Sequence, residues 1–172
     1  MKKVLRYYLK ITKQVSQSLS QFTRWIAFLL VLIGIYEVFA RYFLGSPTIW
    51  GYDMMCMTGG VLAVLAWGYV ELKEEHVRVD VFYDSISERG RSLVDVIGGL
   101  LFGLPLIIVY IRTSYQWAIR AWASGEVLKL SFWYPSAVPI RVIILIGFIL
   151  FFLQFLNTLI RRCYFLLKGE HL

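Results

Sequence analysis

Four long apolar stretches constrain this chain more than any other feature of its sequence. They run from about residues 22–44, 50–72, 93–111 and 139–160. A hydrocarbon core of roughly 30 Å needs about 20 residues of α-helix to cross it. Inside that core the backbone must bond within the segment, and β-barrel strands would instead show short alternating patterns. We therefore expect an all-α integral membrane protein with four transmembrane helices.

The composition agrees with this assignment. The chain has 172 residues, of which 59% are apolar and 17% are charged, and its mean hydropathy is +0.65. Soluble domains typically carry about 45–50% apolar and about 25% charged residues. A soluble enzyme is therefore excluded.

The residues ahead of the first stretch have an amphipathic pattern. Apolar side chains recur at steps of three and four, while the other face is basic. This pattern predicts a helix over residues 1–21 that lies at the cytoplasmic membrane surface, followed by a four-helix transmembrane domain over residues 22–172. A disordered basic leader is the alternative. The apolar face consists of Val4, Leu5, Tyr8, Leu9, Thr12, Val15, Leu19 and Phe22.

The distribution of Lys and Arg between the connecting segments predicts the orientation in the membrane. Positive residues in short flanking segments favour the cytoplasmic side. They therefore place both termini and the connector after the second span in the cytoplasm. The basic residues form no single soluble patch, so nucleic-acid binding is not expected. Thirteen lie on the cytoplasmic side (Lys2, Lys3, Arg6, Lys10, Lys13, Arg24, Lys73, Arg78, Arg89, Arg91, Arg161, Arg162 and Lys168) and three on the other (Arg112, Arg120 and Lys129).

A few polar residues occur within the predicted spans. Glu37 and Arg41 are four apart on one helix and can form an ion pair that docks this helix. Asp53 lies near the start of the second span, where a carboxylate is favourable at a helix N-terminus. Gln154 and Asn157 can hydrogen-bond to a neighbouring helix. The alternative for Glu37 is a carboxylate that handles a proton or an ion.

Small residues indicate where helices can approach closely. They recur at spacings of three and four in the second and third spans. Pro105 should bend the third span, which we expect to continue past Ile111 as an interfacial helix. The two small-residue stripes are Gly59–Ala63–Ala66 and Gly99–Gly103.

Motifs for nucleotides, metals and haem are not found in the sequence. It contains no Walker A motif, no H-E-x-x-H motif and no cysteine cluster. The histidines, His76 and His171, lie outside the spans, whereas a membrane cytochrome needs histidine ligands at membrane depth. We expect no catalytic residue, no metal and no cofactor.

Residues 38–53, with the sequence VFARYFLGSPTIWGYD, resemble the signature of a known family. In the small permease, or Q, subunit of TRAP transporters, an Arg-Tyr pair closes the first span. A proline and a Trp-x-x-acid motif then follow in the family. Residues Trp50 to Asp53 of this chain are similar to that motif. The chain has Asp53 where the family usually has Glu. Residues 76–80 are similar to the family's next connector and residues 138–154 to its last span, so the resemblance covers about residues 22–160.

The resemblance implies a tripartite, ATP-independent uptake system in the bacterial cytoplasmic membrane. In such a system a periplasmic binding protein captures the solute, and a large M subunit moves it with a sodium gradient. The resemblance implies that this chain scaffolds the large subunit and helps dock the binding protein. It would then hold neither the solute nor the ion.

These considerations give a set of interface or structural candidates. The alternative to a subunit of a tripartite transporter is an autonomous small, dimeric transporter that uses Glu37 as its carboxylate. Besides the two protein partners, membrane lipids are the expected partners. The candidate residues are Glu37, Arg41, Trp50, Asp53, Arg120, Lys129 and Gln154.

Overall fold

The computed structural model describes residues 2–73 and 86–169. The connector motif at residues 76–80 and both histidines, His76 and His171, lie outside the described residues. So do the side chains of residues 2–6, 10 and 13, which carry most of the predicted basic face of the leader helix.

The described chain folds into helices, which confirms the all-α prediction. No β-strand occurs in the described ranges, where a single isolated bridge joins Val127 and Ser136. Four of the helical stretches in these ranges are long and apolar enough to cross a membrane. The helices are α1 (Lys2–Tyr42), α2 (Gly51–Lys73), α3 (Glu88–Gly98), α4 (Leu104–Ser124) and α5 (Val138–Lys168).

Helix α1 is longer than a membrane crossing requires. Its 41 residues extend about 60 Å at 1.5 Å per residue. The predicted boundary between leader and first span, at residues 21 and 22, does not interrupt the helix. Its buried positions recur at steps of three, four and seven between residues 12 and 40, as in a coiled-coil seam. They are Thr12, Ser16, Thr23, Ile26, Ile33, Glu37 and Ala40.

Helices α3 and α4 are joined by a π-helical turn over Gly99–Gly103. In that turn the Leu104 amide donates to the Gly99 carbonyl, five residues back. The sequence predicts a bend at Pro105, and the irregularity lies in the turn just before it. Pro105 has no N–H to donate to the preceding turn, so a widened turn accommodates it. Helix α4 then continues to Ser124.

Helix α5 packs against each of the other helices. Its Gly147 lies against Val64 of α2 so closely that a Cβ at this position would overlap the valine side chain. The neighbouring Phe148 is buried, and its ring lies 5.5 Å from that of Trp67 and 5.2 Å from that of Tyr110. One residue of α5 thus contacts α2 and α4 at once.

The bundle has two ends, which we name by what they carry. The connector end carries the turn at residues 43–50 and the connector at residues 125–137. The terminal end carries the start of α1 and the end of α5.

Candidate functional site

Glu37 is the centre of a polar network at the connector end. Its side chain is almost fully buried, and Oε1 lies 2.8 Å from Nη2 of Arg41, whose side chain is 55% exposed. The second oxygen, Oε2, accepts hydrogen bonds from the Thr48 amide at 3.2 Å and from the Thr48 hydroxyl. The ion pair expected from the spacing is present, and both carboxylate oxygens have partners within the chain.

The same contacts hold the end of α1 against the start of α2. The Thr48 hydroxyl accepts a hydrogen bond of 3.0 Å from the Gly51 amide. A Cβ at Gly51 would overlap both the Thr48 side chain and the Glu37 carboxylate. Trp50 stacks on Tyr36 of α1 with 5.8 Å between ring centroids. The turn between the two helices is therefore fixed by a hydrogen bond, a close backbone approach and an aromatic stack.

Asp53 ties the 125–137 connector to the first turn of α2. The residue is fully buried, and its Oδ2 lies within hydrogen-bonding distance of the Ser131 hydroxyl. The same hydroxyl lies 2.7 Å from the Ile49 carbonyl and accepts a hydrogen bond from the Trp133 amide at 3.2 Å. Oδ1 of Asp53 has no hydrogen-bond partner among the described residues. The helix N-terminus supplies a favourable field for this carboxylate.

The connector itself is a compact loop closed by backbone hydrogen bonds. It begins at Gly125, whose φ of 59° is a left-handed conformation that glycine adopts readily. The Leu128 amide then donates to Pro135 O at 2.8 Å, and the Ala137 amide to Glu126 O at 2.9 Å. These bonds bring the two ends of the loop together over the start of α5.

A further ion pair, absent from the candidates named from the sequence, joins this connector to α5. Arg141 donates to Glu126 through Nη1 at 2.7 Å and through Nη2 at 2.5 Å. Nη1 also lies 3.2 Å from the Trp117 carbonyl, and the guanidinium is 5.9 Å from the Trp117 ring centroid. A signal existed in the sequence, because Arg141 is a charge in the first turn of an apolar span and Glu126 is the acid of the preceding loop.

Arg120 and Lys129 are exposed at the connector end. Arg120 lies in the last turns of α4 and Lys129 in the connector. Within the described structure neither side chain takes part in the Glu37 or Asp53 contacts given above. The structure therefore places them on the surface of this end and not inside its network.

The polar residues of α5 contact the leader part of α1. Gln154 is 2% exposed, and its Oε1 accepts a hydrogen bond of 3.2 Å from the Ser16 hydroxyl. Nδ2 of Asn157 donates to the Thr12 hydroxyl at 2.6 Å, and the Tyr8 hydroxyl donates to Leu153 O at 2.9 Å. The helix partner expected for Gln154 and Asn157 is therefore the segment predicted to lie at the membrane surface.

The two small-residue stripes have different environments. Cβ atoms placed at Gly99 and Gly103 would contact Phe155 of α5, so this stripe is covered inside the chain. At Gly59 no side chain or neighbouring helix of the described ranges comes within 4 Å of such an atom, and Ala63 is exposed. The face of α2 that carries Gly59, Ala63 and Ala66, here called the α2 small face, is exposed at Ala63 and half-buried at Gly59 and Ala66.

The chemistry that these residues can perform is the joining of helices. Most of the side-chain contacts above join one helix to another or a helix to a connector, and the Glu37–Arg41 pair lies within α1. The described residues contain no cluster of three or more His, Cys, Asp or Glu side chains that could hold a metal ion.

Comparison with known families gives one match over most of the chain. The family described as "Tripartite ATP-independent periplasmic transporters, DctQ component" matches residues 30–163. The matched range contains the Glu37 and Asp53 contacts, the Glu126–Arg141 pair and Gln154. No curated protein shows significant similarity to the chain.

Proposed function

Because this chain belongs to the DctQ component family of tripartite ATP-independent periplasmic (TRAP) transporters, we propose that it is the scaffold of such a transporter. The family match confirms the resemblance found in the sequence and identifies a membrane component of a transport system. In our proposal the chain binds the large permease subunit along its lipid-depth helix faces. It also presents its connector end to the periplasmic binding protein.

The observation that carries the scaffold role is the engagement of the Glu37 carboxylate. Both of its oxygens accept hydrogen bonds from Arg41 or Thr48. A carboxylate that carries a coupling ion must exchange its partners during transport. This one is occupied by Arg41 of the same helix and by Thr48 of the turn that leads to α2. The arrangement supports a fixed structural joint over an autonomous carrier that uses Glu37.

The α2 small face supports a binding surface for a second subunit. Small side chains allow helix backbones to approach closely in a membrane, where dispersion contacts drive association. Among the described residues, no atom outside the local helix would lie within 4 Å of a Cβ added at Gly59. A helix of the large permease subunit is the occupant that we propose for this face.

The proposed orientation follows from the charge distribution. The terminal end faces the cytoplasm and the connector end faces the periplasm of a bacterial inner membrane, in line with the excess of Lys and Arg at the former. Sodium-driven symport is part of the proposal for the whole transporter, and the solute and sodium sites belong to its other components.

Purification in mild detergent tests the scaffold role directly. We expect a large multi-span subunit to remain bound to the tagged chain when both are expressed from their native operon. Recovery of this chain alone, as a homodimer that still transports a solute in vesicles, would support the autonomous carrier instead.

Charge reversal at Arg120 and Lys129 tests the docking role of the connector end. Both are exposed cations, so their effect on a binding protein should be on its association rate and should weaken with salt. Uptake by the variant with Arg120→Glu and Lys129→Glu should fall when the binding protein is limiting. It should recover as the concentration of the binding protein is raised. The transported solute should not change.

The matched control reverses two exposed cations at the other end, Arg89 and Lys168, and should not alter the dependence on binding protein. Unchanged uptake by the Arg120 and Lys129 variant at every concentration would remove the docking role and leave only the scaffold.

A further inference from the structure

A basic cleft lies between three helices at the terminal end. It has a volume of about 560 Å³, and α1, α2 and α5 each contribute one cation to its lining, namely Arg24, Lys73 and Arg161. The other described lining residues are polar or apolar, and none of them is acidic. They are Gln17, Ser20, Gln21, Tyr69 and Leu72.

The position of this cleft along the helices corresponds to a membrane surface. The first predicted span begins at about residue 22, the second ends at about residue 72 and the fourth ends at about residue 160. Leu72 lines the cleft itself, and the other two limits lie next to lining residues, at Gln21 on α1 and at Arg161 on α5. Its cations therefore lie where apolar helix gives way to polar helix, which is the depth of lipid headgroups.

An apolar groove adjoins the cleft on the outer side of α1. Gln21 and Arg24 line both, and the groove continues over Trp25 and Phe28. These aromatic side chains are 71% and 56% exposed, and their rings meet edge to face at 6.4 Å. A ligand that fills both spaces must carry a negative group at one end and an apolar chain at the other.

We propose that the cleft binds the phosphate headgroup of an anionic phospholipid, with one acyl chain lying along Trp25 and Phe28. Guanidinium groups form paired, charge-assisted hydrogen bonds with phosphate oxygens, and an ammonium group adds a third charge. Cations at this depth attract anionic lipids of the adjacent leaflet. The Gln, Ser and Tyr side chains around them can bind the remaining headgroup oxygens.

Such a lipid would contact α1, α2 and α5 together. A ligand that binds only the folded assembly stabilises that assembly, and the gain in free energy rises with the logarithm of the ligand concentration. The bound lipid would therefore hold the leader part of α1 against the rest of the bundle. This inference requires that the chain spans a membrane, but not that it serves as a transporter scaffold.

Thermal unfolding of the purified protein, in detergent and with any partner subunit that co-purifies, tests the site. Phosphatidylglycerol should raise the melting temperature in a saturable way. Phosphatidylcholine with the same acyl chains and inorganic phosphate should not. Native mass spectrometry of the protein as isolated should show phosphatidylglycerol retained in preference to phosphatidylcholine.

The variant that tests the cleft is Arg24→Gln combined with Arg161→Gln. This variant should lose most of the increase in melting temperature that phosphatidylglycerol causes. The amount of this lipid that co-purifies with it should fall by about fivefold or more, as expected for the loss of about 1 kcal/mol in binding free energy. Arg89→Gln with Lys168→Gln removes the same charge from exposed positions at the same end and should keep the response. If the cleft variant does not fold, brominated phosphatidylglycerol can be added to the native protein, where it should quench the fluorescence of Trp25. The Trp25→Phe variant should lack this quenched component.

Three results would overturn the proposal. Equal stabilisation by inorganic phosphate would indicate a site for a free anion, and equal stabilisation by phosphatidylcholine would indicate no headgroup recognition. A cleft variant that loses the large subunit but keeps its response to phosphatidylglycerol would indicate that an acidic protein segment occupies the cleft.

Discussion

Arg141 binds Glu126 through both terminal nitrogens of its guanidinium group, at 2.7 and 2.5 Å. This pair joins the first turn of α5 to the start of the 125–137 connector. Because the same guanidinium also reaches the Trp117 carbonyl at 3.2 Å, the pair fixes the connector to α4 as well. The connector in turn places Ser131 against Asp53.

We predict that Glu126→Gln loosens this connector without unfolding the bundle. The neutral amide keeps one hydrogen bond but loses the paired, charge-assisted geometry. Since the pair is partly exposed, the cost should be about 1 kcal/mol. Limited proteolysis should then cut the connector faster, while the circular dichroism of the bundle stays unchanged. Lys129→Gln, an exposed change in the same loop, serves as the control, and equal cleavage of both variants would contradict the prediction.

The second prediction concerns the joint between α1 and α2. Glu37→Gln should lower the melting temperature of the assembly, because it removes the partner of Arg41 and weakens the acceptor for Thr48. The complexes that survive should keep their dependence on the coupling ion. Thr48→Val should destabilise by about 1 kcal/mol or more, because the hydroxyl that accepts from the Gly51 amide and donates to Glu37 is lost. Normal assembly of Glu37→Gln with lost ion dependence would instead favour the autonomous carrier.

A third prediction tests the contact between α5 and the leader part of α1. Gln154→Leu leaves the buried Ser16 hydroxyl without its side-chain partner and should destabilise by about 1–2 kcal/mol. Adding Ser16→Ala should restore part of the loss, since both polar groups are then removed. Thermal melts of the two single variants and the double variant give the interaction free energy between the Gln154 and Ser16 side chains. Strict additivity would mean that the two side chains do not interact in the membrane.

The fourth prediction is the orientation itself. In a background with Cys56 and Cys163 replaced by alanine, a cysteine at Ser87 should be protected from impermeant reagents added outside intact cells. A cysteine at Gly125 should react. Both sites lie at exposed positions beside helix ends, so access depends on the side of the membrane. The reverse labelling pattern would invert the orientation and move the docking surface to the cytoplasm.

A fifth prediction separates folding from assembly by two glycine variants. Gly147→Leu should destabilise the chain itself by about 2 kcal/mol or more, because its side chain would overlap Val64. Gly59→Leu lies on the α2 small face, where no such overlap with a described residue occurs, and should leave the chain folded but reduce co-purification of the large subunit. Retention of the large subunit by Gly59→Leu would move the proposed contact to another face.

The sequence determined those features that depend on neighbouring residues along the chain. Runs of apolar residues predict the helical spans because each residue in lipid must satisfy its backbone groups locally. A spacing of four on one helix was enough to predict the Glu37–Arg41 pair. The run of residues 38–53, together with residues 76–80 and 138–154, indicated the family that the comparison then identified.

Tertiary structure decided which distant segments meet. Sequence periodicity separated a surface leader from the first span, but one continuous helix carries both, and Ser16 of the leader contacts Gln154 of α5. Two similar small-residue stripes have different environments, since a Cβ at Gly103 would overlap Phe155 whereas a Cβ at Gly59 would have no described side chain or neighbouring helix within 4 Å. Hydropathy measures how apolar the residues of a helix are. Its value is nearly the same for a face that contacts lipid and for a face that contacts another helix. Only the packing of helices distant in the chain distinguishes these two faces.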